Sequence, residues 1–523
     1  MNTIALYSRF ETLFESARDY ENPVQDVSVE VEFQCAGTRV VVNAFWDGER
    51  QWHVRFSPEI AGLWTWRVRC SPTGDSGFDG MGGRFECVPA ASTNALYERG
   101  SIRVSDDKRH FAYADGTPFF WLGDTAWNGP LKSSETDWTV YLSDRAQKGF
   151  NVIQFVATQW ISAAGDAEGR QAYLGRERIR IEPAFFRRLD RRVDAINAFG
   201  MVAAPVLAWA AGWNPDSRHL NPGNSLSDDQ LEILIRYIVA RYGAHQVVWI
   251  LAGDGIYEGA EAERWRRIGR ASLSGITRPA TIHPGGKIWS APEFRTEPWF
   301  DFNGYQSGHW NDDDNFRWIN EGPPSADWRT EPRCPHINLE PCYEGHRAMA
   351  TGRVMDAMDV RRAAYWSLLA SPPAGITYGA HGIWSWESTP EHPMSHPNTG
   401  IAPAWRDALH LPGSACMGRL KAIFEPIDWP SLEPCPELVE NQPGKEQPAL
   451  FIGAARSESD NLAILYLPQG GSVSLRTQLL RPDVMVSCVD PSNGGLLWQK
   501  PLSGCGDAID SGAETDRVLV FKS

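Results

Sequence analysis

Two carboxylates stand where catalysis could use them. Asp254 closes the run VVWILAGD, and Glu340 lies in INLEPCYEG. Each follows an apolar strand-like stretch directly, rather than sitting on a polar helix face. Such placement argues against the plain alternative, a structural acid paired with Arg or capping a loop. Hydrolysis of a glycosidic bond needs an acid and a nucleophile, or an acid and a base, on either side of one linkage. In the retaining version the two groups stand about 5–5.5 Å apart. We assign Glu340 as nucleophile and Asp254 as acid/base. The acid must hold a proton near neutral pH, and burial beside Trp249 and a second carboxylate would raise its pKa.

Other polar and aromatic groups fall at the ends of similar apolar runs. Asp124 and Trp127 follow the first, Gln154 lies in the second with Trp160 after it, and Trp209 and Trp213 follow the third. Tyr305, His309 and Trp310 follow the sixth, Tyr343 and Glu344 the seventh, and His381, Trp384 and Trp386 the eighth. Together they would form a pocket for a sugar, with hydroxyl partners beside flat stacking faces. The substrate-binding candidates are Asp124, Trp127, Gln154, Trp160, Trp209, Tyr305, His309, Trp310, His381 and Trp384. Asp124 is as well suited to capping the helix after it. Glu258 and Glu344 read as supporting or salt-bridge groups. No H-x-H or H-E-x-x-H occurs, so no metal site is expected. The run Asn311–Asn315 lacks a full calcium-loop pattern and reads as an acidic solvated loop.

These runs are expected as strands of a (β/α)8 barrel, over Phe119–Leu122, Val152–Val156, Val202–Leu207, Val247–Leu251, Ala280–Ile282, Phe300–Asn303, His336–Leu339 and Gly375–Tyr378. Amphipathic stretches at Thr136–Lys148, Pro183–Phe199, Asp228–Tyr242, Ala260–Leu273 and Val360–Leu369 alternate with them as helices. In such barrels the chemistry sits at the C-terminal ends of the strands. Strands four and seven lie on opposing sides of the mouth, so Asp254 and Glu340 can flank one bond. Before the barrel, residues of about 26 to 90 alternate apolar and polar with tight turns such as Asp47-Gly48, as a small β-sandwich does. Beyond Pro426 the pattern is β again. The α/β chain therefore divides into an N-terminal sandwich (1–98), the barrel (99–425) and a C-terminal sandwich (426–523).

Composition narrows the partners. The formal charge of the 523 residues is −15, with no basic run, so nucleic acid, anionic membranes and polyanionic substrates are disfavoured. The 23 Trp residues suit a carbohydrate-active protein, although an aromatic-rich sandwich would also use them. Trp46, Trp52, Trp64 and Trp66 read as sandwich core or packing on the barrel. Nine Cys with no C-x-x-C indicate neither a full disulfide set nor zinc. The start lacks a basic region followed by a long apolar one, and no apolar run is long enough to span a bilayer. Those features point to a reduced, cytoplasmic setting.

Five blocks carry a family resemblance: HFAYADGTPFFWLGDTAW, RAQKGFNVIQF, VVWILAGD, INLEPCYEG and AAYWSLLASPPAGITYGAHGIWSW. In this order, from about residue 107 to 386, they resemble the apiosidase-like catalytic domain of glycoside hydrolases. The N-terminal segment resembles the small β-sandwich often fused ahead of such barrels. The tail, with VDPSNGGLL, resembles a sandwich labelled collagen-binding in related proteins, but nothing in it points to collagen. The resemblance implies a retaining mechanism with Asp254 and Glu340 as the carboxylates, and Asp124, Gln154, Tyr305, His309 and Trp384 lining the sugar site. Ala252 stands where a second Gly is more usual, and the loop Trp160–Tyr173 has its own sequence, which bears on the substrate. The expected activity is cleavage of a neutral glycoside or oligosaccharide, a pentofuranoside such as an apioside or arabinoside among them, without cofactor. The rivals are a non-catalytic carbohydrate-binding protein, a metal-dependent hydrolase and a transglycosylase. The sandwiches would brace the barrel, add pocket residues or mediate contacts between copies.

Overall fold

The computed structural model describes residues 2–213, 215, 218–505, 508–512 and 515–523. At its centre lies an eight-stranded, all-parallel sheet. Its strands, in chain order, are Trp121–Thr125, Val152–Val156, Val202–Trp209, Trp249–Gly255, Ala280–Pro284, Asn303–Tyr305, His336–Asn338 and Gly375–Gly379. The order across the sheet is five, four, three, two, one, eight, seven, six. Between strands five and six, Asp301 N–H donates to Ala280 O (2.9 Å) and Thr281 Oγ1 donates to Phe302 O (2.6 Å). These bonds bring the two edges together, so the sheet forms a (β/α)8 barrel.

The helices Glu135–Gln147, Pro183–Ala198, Asp228–Tyr242, Gly259–Leu273 and Ala357–Ala370 fall on the amphipathic stretches. Besides short four-residue turns of helix, two longer helices were not foreseen, Asp313–Glu321 and Pro412–Phe424. The first corrects the reading of Asn311–Asn315 as a loop. Asp312 caps that helix, accepting from Asn315 N–H at 3.0 Å, and Asp313 and Asp314 lie in its first turn, where the helix dipole favours negative charge. Strand positions also move. Phe119 belongs to a small antiparallel sheet with Arg103–Val104 and Phe111–Ala112, so the first barrel strand begins at Trp121. Asp301 turns the chain by accepting from Ala280 N–H (2.9 Å), which delays strand six to Asn303. The fourth strand runs on to Gly255 and includes Asp254.

Both flanking units are built from β-sheets. The N-terminal one stacks a five-stranded sheet on a three-stranded one over Phe10, Phe33, Phe56, Trp64 and Phe85. Arg241, fully buried, joins it to the barrel by donating to Asp47 Oδ1 (2.8 Å) and to both Asp190 oxygens (2.7 and 2.8 Å). The C-terminal unit is built on a six-stranded sheet with a two-stranded one beside it. It docks on the helix Ala357–Ala370 through the Arg361–Asp516 pair and through Tyr365 stacked on Tyr466, with ring centroids 4.6 Å apart. Among the described residues, no helix is long and apolar enough to cross a membrane.

Candidate active site

A cavity of about 470 Å³ opens at the C-terminal ends of the barrel strands. Both Asp254 and Glu340 border it, with Trp127, Trp160, Trp209, His309, Trp310 and Trp384 from the sequence-based set. All its described lining residues lie between Trp127 and Thr399, so neither sandwich contributes a wall.

Asp254 is held in an uncommon backbone conformation. The pairing between strands four and five slips at Gly253, and Asp254 has φ +55°. A bulge at a strand end re-aims a side chain, and a non-glycine residue at positive φ persists only where its surroundings enforce it. Gly253 is part of that enforcement, since a Cβ there would lie 2.5 Å from Cε3 of Trp209. The Asp254 carboxylate accepts from Trp213 Nε1–H at 2.9 Å. Desolvation, and then the nearby Glu340 charge, push its pKa up to about 6, although the indole N–H pulls the other way.

Glu340 sits two residues past the seventh strand, buried. Its peptide is fixed on both sides, because Gln154 Nε2 donates to Leu339 O (2.7 Å) and Gly308 N–H donates to Glu340 O (3.0 Å). His309 Nε2–H donates to Glu340 Oε1 at 2.9 Å, and His283 Nε2 stands 3.2 Å from Oε2. Burial by itself would raise the Glu340 pKa. The two imidazoles outweigh it and hold the carboxyl well below the usual carboxylate range. Tyr343 packs beside it, its hydroxyl pushed far up by burial and by the Glu340 charge.

Four of the sequence-based candidates are absent from the lining. Asp124 is fully buried and accepts from Arg145 Nε and Tyr141 Oη, each at 2.6 Å, so it ties the first strand to the following helix. Gln154 lies inside the barrel, where its Nε2 donates to Thr125 Oγ1 (2.7 Å) as well as to Leu339 O. Tyr305 packs on Trp289 and Trp318, at ring distances of 5.3 and 5.9 Å. His381 stands one layer behind, lowered to about 4 by burial, and its Nδ1 accepts from Trp384 Nε1–H at 3.1 Å. It therefore positions a lining Trp. Trp386 stacks on Trp405 at 4.8 Å and is core.

Conversely, several lining groups lay outside the sequence-based set. His346 and His396 reach the wall, as do Ile256 and Met349, beside Trp213 from just past the third strand, and His283 supports Glu340 from behind. His283 lies one residue before the end of the fifth strand, the least marked in sequence, which is why the strand-end rule passed over it. His396 arrives on the long loop after strand eight and contacts the rings of Trp160, Trp213 and Trp384.

Comparison with known proteins agrees with this architecture. A structure described as a glycoside hydrolase aligns at TM-score 0.69 and 22% identity, over 83% of this chain and 99% of its own. A glycoside hydrolase family 5 protein from Bacteroides vulgatus aligns at TM-score 0.68 and 21% identity, over 82% and 93%. Another Bacteroides vulgatus structure aligns over 100% of both chains at TM-score 0.73 and 18% identity. These likenesses establish the barrel fold. A search of curated proteins finds no match. Residues 105–431 match the model of the apiosidase-like catalytic domain, and residues 3–71 match a domain of unknown function, DUF5060. The chain belongs to the apiosidase-like family and is a glycoside hydrolase.

Proposed function

We propose that the protein is a retaining glycosidase for neutral glycosides, with Glu340 as nucleophile and Asp254 as acid/base. The observation that carries this reading is the opposite tuning of two carboxyls on one cavity. Asp254 is pushed up to about 6 by burial and by Glu340, whereas the imidazoles keep Glu340 ionised despite its burial. Carboxyls whose environments drive their pKa values apart divide acid and base roles. In the first step Glu340 attacks the anomeric carbon as the glycosidic C–O bond breaks, and the Asp254 proton passes to the departing oxygen. In the second, Asp254 takes a proton from water, whose oxygen displaces Glu340 and releases the sugar. A pentofuranose such as apiose or arabinose is the proposed sugar, in keeping with the family.

A screen of 4-nitrophenyl glycosides identifies the sugar, and proton NMR of the first product reads its anomeric configuration. Retention is expected. Glu340→Gln should lower kcat by roughly 10⁴-fold, and Asp254→Asn by about 10²–10⁴-fold. Wild-type turnover in both variants, or inversion at the anomeric carbon, would overturn the assignment.

A further inference from the structure

The cavity changes character from floor to mouth. Around Glu340 its wall is made of buried Trp127, Trp160, Trp209 and Trp384, the kind of surface a single sugar ring stacks on. At the mouth stand Trp213, Ile256 and Met349, which are 52%, 67% and 58% exposed. Single exposed apolar residues are ordinary, but three around one opening mark a contact surface.

Their positions relative to Asp254 say which part of a substrate they meet. Trp213 donates to the Asp254 carboxylate, and Ile256 lies two residues beyond it. Met349 is fixed to the His309 backbone, its N–H donating to His309 O at 2.8 Å. A general acid stands beside the departing oxygen, so Trp213 and Ile256 lie on the side of the group that leaves, and Met349 reaches the same cavity from the His309 side. Ile256 and Met349 offer no hydrogen bonds to the hydroxyls of a further sugar unit, and of the polar lining side chains only Asn398 is exposed as they are, with Ser395 half-buried. Among the described lining residues there is no Lys or Arg to pair with an acidic sugar. Lys287, next to the lining Gly286, sets its ammonium over the Trp310 ring at 4.5 Å.

We propose that the leaving-group side of the cavity binds an apolar aglycone, so that the substrates are neutral glycosides of flat, hydrophobic alcohols or phenols rather than longer sugar chains. The proposal rests on Asp254 being the acid/base. It is tested with three substrates of the sugar identified by the 4-nitrophenyl screen: its methyl glycoside, its 2-phenylethyl glycoside and a disaccharide ending in it. Methyl and 2-phenylethyl alcohols are both simple alkanols, so leaving-group chemistry does not separate them. The 2-phenylethyl glycoside should exceed the other two in kcat/KM by roughly tenfold or more. The double variant Ile256→Asn with Met349→Gln should bring the 2-phenylethyl to methyl ratio close to one. Equal rates in the wild type, preference for the disaccharide, or a ratio unmoved in the variant would overturn the aglycone proposal and leave the glycosidase reading standing. Failure to cleave any of the 4-nitrophenyl glycosides would count against both.

Discussion

Replacing Trp213 with Phe isolates one hydrogen bond and keeps an aromatic ring at the mouth. The indole N–H donates to Asp254 Oδ2 at 2.9 Å and so favours the ionised carboxylate. A hydrogen bond to a charged group is worth about 1.5–3 kcal/mol. Trp213 is 52% exposed, so water replaces part of that, and the lower end is appropriate. At about 1.4 kcal/mol per pKa unit, loss of the donor should raise the Asp254 pKa by about one unit, from about 6 to about 7. The acid works only when protonated, so activity is lost as pH rises through this value. The alkaline limb of the kcat/KM profile should therefore move about one unit upward in Trp213→Phe. At pH 7 the protonated fraction would grow from roughly a tenth to a half, about fivefold relative to each enzyme's low-pH plateau. The assay is kcat/KM from pH 4 to 9 on one glycoside. An alkaline limb that stays put or moves down would refute this account of Asp254.

Three further substitutions probe the surroundings. His309→Ala removes the N–H that donates to Glu340 Oε1, which favours the protonated carboxyl and raises its pKa. On a profile extended well below pH 4, the acid limb should move up by about one to two units, and an unmoved limb there would mean that His309 does not keep Glu340 ionised. Asp124→Asn leaves the buried Arg145 without its main partner and should cost about 3–5 kcal/mol. This appears as earlier thermal unfolding by calorimetry, with kcat/KM at 25 °C nearly unchanged. A selective loss of kcat without loss of stability would instead restore Asp124 as a sugar contact. Gly253→Ala drives a Cβ to 2.5 Å from Trp209 and disturbs the bulge that holds Asp254, so kcat and KM should both worsen on every substrate. Wild-type kinetics would show that the close approach is not needed.

The sequence carried the barrel because its strands are short apolar runs and most of its helices are amphipathic, a contrast that survives without coordinates. The strand-end rule brought Asp254 and Glu340 to one cavity for the same reason. It could not separate the mouth from the layer below it. Asp124, Gln154 and His381 lie in or just past barrel strands, yet their partners, Arg145 with Tyr141, Leu339 O and Trp384, come from other segments or a later turn and hold them out of the lining. Nor does a periodic pattern reveal the bulge at Gly253 or the positive φ of Asp254, because both arise from pairing between strands. The mouth was the least legible part. Ile256 and Met349 belong to loops, where an apolar residue carries no periodic signal.

Interchanging the roles of the two carboxyls would leave the chemistry formally intact, and their surroundings argue against it. An acid must bring a proton to the departing oxygen, and a group held well below the ordinary carboxylate range has none to give near neutral pH. Glu340, flanked by two imidazoles, is such a group. Asp254 has one partly exposed indole as donor and a negative neighbour, so it retains its proton closer to neutrality. Once Glu340 is esterified its charge is gone, and the Asp254 pKa falls, which suits it to accept the proton of water in the second step. A 2-deoxy-2-fluoro glycosyl fluoride of the preferred sugar slows that second step and traps the ester. Digestion and mass spectrometry should then find the label on the peptide containing Glu340, and a label on Asp254 would reverse the assignment.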